Sequence, residues 1–111
     1  MTKYRIDFAY DGTDFHGYAK QPNVRTVQED LETALFRMTG EVATSVAGRT
    51  DRGVHASAQV ISFEHPDLID TEMIFRSLNR QLATEIAVSS VSVVPDGFDA
   101  RFSARGRAYT Y

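Results

Sequence analysis

The segment Gly48-Arg49-Thr50-Asp51-Arg52-Gly53-Val54-His55 sets one carboxylate between two guanidinium groups on a stretch bounded by glycines. An arginine beside an aspartate favours its ionised form even where burial opposes it. An ionised, partly desolvated carboxylate can act as a nucleophile. The same residues can do less: Asp51 can cap a turn, with Arg49 paired to it at the surface. Residue chemistry alone leaves both readings open.

The carboxy-terminal residues form a second candidate. Arg101, Phe102, Arg105, Arg107, Tyr109 and Tyr111 interleave positive charge with aromatic faces. Such a strip suits RNA, because arginines answer phosphates and a ring stacks an exposed base, worth roughly 1–3 kcal/mol per base. An ordinary edge strand, aromatics inward and arginines in solvent, is the competing reading. Other chemistries find no residues to carry them. There is no Gly-x-x-x-x-Gly-Lys phosphate loop and no dinucleotide-binding glycine triplet. His16, His55 and His65 lack ligand spacing, so no metal site is expected.

The elements that must hold these residues follow from periodicity. Tyr4, Ile6, Phe8 and Tyr10 alternate with polar neighbours up to Asp11-Gly12, which predicts a strand and a turn. Thr26-Val27-Gln28-Glu29 reads as a capping box. The helix it opens carries Val27, Leu31, Ala34, Leu35 and Met38 on one face and stops at a left-handed Gly40. Residues 42–47 predict a short strand and Ala58 to Glu64 another, with 48–55 as the loop between them. Asp70 or Thr71 caps a second helix carrying Met73, Ile74 and Leu78. A valine-rich strand runs from Ile86 to Val94, Pro95-Asp96-Gly97 turns the chain, and a last strand runs from about Arg101 into Tyr109 and Tyr111.

Two strand-helix-strand units in succession predict an α+β ferredoxin-like sandwich, a mainly antiparallel sheet with two helices on one face. With 111 residues and 42% hydrophobic content, one domain spanning 1–111 is expected. The alternating pattern breaks off at Tyr111, which reads as a chain cut short.

The absence of cysteine removes disulfides and thiolate metal sites. The start, Met1-Thr2-Lys3-Tyr4, has no apolar signal core, and no run approaches bilayer length. A cytoplasmic location is expected. The formal charge of −3 argues mildly against a nucleic-acid partner. Its distribution argues the other way: Glu64, Asp67, Asp70 and Glu72 crowd the middle, while residues 101–111 hold three arginines and no acid.

The loop at 48–55 resembles the signature of the TruA family of tRNA pseudouridine synthases. Tyr10-Asp11-Gly12, Phe15-His16-Gly17, Thr26 to Glu29, Gln59-Val60, Leu78-Asn79, Ile86-Ala87-Val88, Phe98 to Ala104 and Tyr109 to Tyr111 match family stretches in the same order. The resemblance implies a reaction that detaches uracil from ribose at N1, rotates it and rejoins it through C5, with neither metal nor organic cofactor. It implies Asp51 as nucleophile and Arg49 as its ion-pair partner, helping to hold the target base out of the stack. Tyr109 would pack on that base. Phe98, Asp99, Ala100, Arg101 and Phe102, with Arg105 and Arg107, would face the RNA.

The partners implied are tRNA, modified in the anticodon stem-loop, and a second copy of the chain in a homodimer; no membrane is implied. The family also carries a second half of similar fold, so residues 1–111 alone are expected to have little activity. Asp99 stands where a histidine is common, Arg52 where a small residue is usual, Ala19-Lys20 in place of an aromatic-glutamine pattern, and Ala83 where proline is usual. These departures bear on substrate preference. Two readings from other classes stand beside this one. A non-catalytic RRM-like RNA-binding module needs strand aromatics after a basic-Gly start, where this chain has Val54-His55-Ala56. For a small-molecule regulatory domain, the Arg-Asp loop would be only a turn.

Overall fold

In β1 (Thr2–Tyr10), Tyr4, Ile6, Phe8 and Tyr10 are buried while Lys3, Arg5, Asp7 and Ala9 are half-buried. The strand has an apolar face under helices and a polar face without them. The computed structural model describes residues 1–48, 53, 55–82, 85–95, 97–98 and the backbone of 109–110. Helix α1 (Val27–Thr39) starts where the Thr26 hydroxyl accepts the Glu29 amide. It buries Val27, Leu31, Ala34 and Leu35. Gly40 ends it with φ 74° and ψ −169°. The positive φ was expected, but this ψ lies outside the left-handed helical region, in conformational space open essentially to glycine.

Strand β2 (Thr44–Val46) is followed by β3 (His55–His65), helix α2 (Thr71–Gln81), β4 (Ile86–Val94) and β5 (Tyr109–Thr110). The strand order is β2-β3-β1-β4, all pairs antiparallel, with β5 also on β3. This is the expected ferredoxin-like α+β arrangement. Asp70 caps α2 by accepting the Glu72 amide. Ile74 and Leu78 are buried, whereas Met73 is 46% exposed and so does not share their face.

Two boundaries differ from the sequence reading. β2 is shorter than 42–47, and β3 begins at His55 rather than Ala58. The extra residues of β3 are held by neighbours remote in sequence: Ala56 pairs with Tyr10 on one side and with Tyr109 on the other. Local composition cannot report such pairing.

One core joins the helix-side faces of β1, β3 and β4 to α1 and α2, with the Tyr4 and Phe63 rings stacked 5.1 Å apart. Each fully buried large apolar side chain contributes about 1.5–3 kcal/mol. Register shifts interrupt β1 between Asp7 and Phe8 against β4, and between Phe8 and Tyr10 against β3. Bulges of this kind re-aim side chains. They fall in the half of β1 that leads toward the Gly48–His55 segment.

Candidate active site

Loop 11–26, the described residues Gly48, Gly53 and His55, and Glu85 ahead of β4 lie at the end of the sheet where β1 finishes and β3 and β4 begin. Arg49 and Asp51, expected to carry the chemistry, lie outside the described residues. What holds the ends of their segment is described. At the start, the Ala47 amide donates to the Val60 carbonyl at 2.9 Å. One residue on, the Gln59 carboxamide Nε2 donates to the Gly48 carbonyl at 2.7 Å. At the far end, Gly53 with φ 78° donates its amide to the Phe15 carbonyl at 3.3 Å. His55 Nδ1 then accepts the Gly12 amide at 2.8 Å.

The loop that supplies Phe15 and Gly12 is itself fastened. Phe15 is buried, and the Arg25 guanidinium lies over its ring at 4.4 Å. Arg25 donates to both Glu85 carboxylate oxygens at 2.7 Å and to Asp30 Oδ2 at 2.9 Å. It thereby ties the loop to α1 and to the start of β4. Arg25 holds the Glu85 carboxyl below the usual Glu range, and Glu85 in turn raises the guanidinium. Beside them, the Thr13 hydroxyl and amide both donate to Asp11 and hold its carboxyl low.

The helix-free face of the sheet continues from this end. Arg5 Nε donates to Asp7 Oδ1 at 2.9 Å, and the Ser90 hydroxyl donates to Asp7 Oδ2 at 2.9 Å. Phe98, expected to touch RNA, packs against Ala47 and Val60. Its ring lies 5.5 Å from the Arg5 guanidinium carbon, and its carbonyl accepts Lys3 Nζ at 2.6 Å. The backbone of Tyr109 runs beside Ala56, and that of Thr110 beside His55, which brings β5 alongside the exit of the loop. Asp99, Ala100, Arg101, Phe102, Arg105 and Arg107 lie outside the described residues. No group of three or more metal-ligating side chains occurs among the described residues.

Sequence reasoning gave no role to Gln59, Arg25 or Glu85. Gln59 left a signal: it occupies the strand phase of Ile61 and Phe63, a polar residue on a core face. Arg25 and Glu85 left none, since a contact across 60 positions has no local pattern.

Comparison with known proteins adds to this geometry. A sequence model described as tRNA pseudouridine synthase matches residues 8–103. The chain is 49% identical over 114 positions to a tRNA pseudouridine synthase A of Cutibacterium acnes, covering 100% of this chain and 41% of the relative. It is 50% identical over 114 positions to that of Thermosipho africanus, covering 100% of this chain and 46% of that one. For Bifidobacterium animalis subsp. lactis the values are 45% over 127 positions, 100% and 43%. The chain spans less than half the length of these curated relatives.

Proposed function

The chain belongs to the tRNA pseudouridine synthase family, and on that premise we propose that the complete gene product isomerises uridine to pseudouridine in tRNA. The observation that carries this reading is the family match across residues 8–103, which spans the whole Gly48–His55 segment. In the proposed reaction the bond from ribose C1′ to uracil N1 breaks, the base rotates, and C1′ bonds to C5, which loses its proton as N1 takes one up. Atoms balance without an oxidant or co-substrate.

Asp51 is the proposed nucleophile and Arg49 its ion-pair partner, also holding the flipped base. Extruding a base costs a few kcal/mol, which stacking on Tyr109 and hydrogen bonds to the base edge can return. Phe98, Asp99, Ala100, Arg101, Phe102, Arg105 and Arg107 are the proposed RNA-facing residues. Phe98 is half-buried against Ala47 and Val60, so part of the side chain is left for such a contact.

The anticodon stem-loop is the proposed target, a homodimer the proposed assembly and the cytoplasm the proposed location. Among the described residues no helix is long and apolar enough to cross a membrane. Because residues 1–111 cover 41% of the Cutibacterium relative, this piece alone is proposed to turn over little substrate.

Asp51→Asn in the complete gene product tests the assignment. Tritium release from C5-labelled tRNA should cease while tRNA binding in a filter assay persists. Turnover like that of the wild type would refute Asp51 as nucleophile.

A further inference from the structure

Strand β3 offers its outer edge to two short partners, β2 along Ile61 to Phe63 and β5 along His55 and Ala56. Between them the edge must release the chain into the Gly48–His55 segment. The β2 ladder ends at Val46 opposite Ile61, and one further backbone bond, Ala47 to Val60, extends it. At the next position a side chain takes over: Gln59 Nε2 donates to the Gly48 carbonyl at 2.7 Å, while Gln59 Oε1 accepts the Val60 amide at 3.1 Å. Gln59 is 1% exposed.

A polar group so deeply buried costs several kcal/mol unless it is hydrogen-bonded, and here both ends of the carboxamide have partners. Ile61 and Phe63 share its face and are apolar, so burial there does not by itself call for a carboxamide. A carboxamide adds a donor aimed at one carbonyl, the last described group before Arg49.

We propose that Gln59 is a positioning residue: by holding the Gly48 carbonyl it fixes the direction in which the chain enters the segment carrying Asp51. The inference rests on the reaction proposed above. An error of about 1 Å in placing a reacting group can cost about a hundredfold in rate. Loosening Gly48 should therefore be felt in the chemical step rather than in the hold on tRNA.

The test uses the complete gene product with Gln59→Met, which keeps length and apolar volume but removes the donor, and Gln59→Glu, which keeps an acceptor for Val60. In both, kcat for tritium release should fall by about tenfold to a hundredfold, while KM for tRNA stays within about twofold. For Gln59→Glu the deficit relative to wild type should shrink as pH falls, because only the protonated acid can donate to Gly48. A Gln59→Met enzyme with wild-type kcat would show that the site needs only volume, and would overturn the proposal. A Gln59→Glu deficit independent of pH would do the same.

Should the variants not fold, the wild-type protein still decides. The Gln59 side-chain amide protons should exchange with solvent far more slowly than those of the exposed Gln21, and equal rates would remove the anchor. That measurement needs no turnover. It therefore separates failure of the anchor from failure of the reaction reading, which would show as a wild-type protein that makes no pseudouridine.

Discussion

His55 Nδ1 lies 2.8 Å from the Gly12 amide nitrogen, so the first residue of β3 closes the turn that follows β1. A ring that accepts that proton at Nδ1 carries its own on Nε2. Asp11 Oδ1 stands 3.0 Å from the same nitrogen. A ring protonated at Nδ1 would donate to Asp11 and release Gly12. In His55→Ala the buried Gly12 N–H loses its acceptor, at a cost of about 1–3 kcal/mol. His55→Asn, whose Oδ1 can stand near the Nδ1 position, should recover most of it. Urea denaturation of the three proteins checks this, and equal midpoints would count against the bond.

Arg25 joins Glu85, Asp30 and the Phe15 ring. Arg25→Met should cost about 1–2 kcal/mol, a partly exposed ion pair and a cation–π contact contributing comparably. The pH dependence has a definite sign. Arg25 lowers the Glu85 carboxyl from its usual 4.5 in the folded protein, so the ion-pair part of the stability is fully present above that value. It is lost as pH falls through the lower, folded value. The gap between wild type and Arg25→Met should narrow on acidification below about pH 4.5. A gap constant from pH 7 to pH 3 would assign the effect to packing on Phe15 alone.

Asn79 of α2 captures both backbone groups of Val88: its Nδ2 donates to the carbonyl at 3.0 Å, and its Oδ1 accepts the amide at 2.8 Å. Strand β4 ends the β2-β3-β1-β4 order, and a free strand edge invites unwanted pairing. Asn79→Ala should destabilise by about 1–3 kcal/mol and speed exchange of the Val88 amide more than that of Ile61 in the sheet interior. Uniform acceleration at both sites would point to global loosening instead.

If Arg101 meets a phosphate, Arg101→Ala in the complete gene product should weaken tRNA binding and lower the slope of log K against log salt by about one. An unchanged slope would take Arg101 off the RNA surface.

Much of the fold was legible because its signals are local. The alternation in β1, the Thr26 cap, the Gly40 stop and the valine-rich β4 each act within a few residues, where sterics and unpaired backbone groups dictate the outcome. The start of β3 was not legible, since His55 becomes a strand residue only by pairing with a segment 55 positions later. In the candidate site, the residue types at 48–55 singled out the loop, but their chemistry alone did not choose between a turn and a nucleophile. The proposed nucleophile rests on family resemblance.

By itself, then, the sequence determined the elements, the one-sided core and the segment on which the proposed chemistry depends. Tertiary structure alone decided what holds that segment: Gln59 on Gly48, Phe15 on Gly53 and His55 on Gly12. The physical reason is that a side-chain hydrogen bond acts over about 3 Å, and sheet register, not spacing along the chain, sets which groups come that close. Gln59 marks the boundary between the two. Its polarity on a core face was visible in the sequence, and its partner became visible only once β2 was laid against β3.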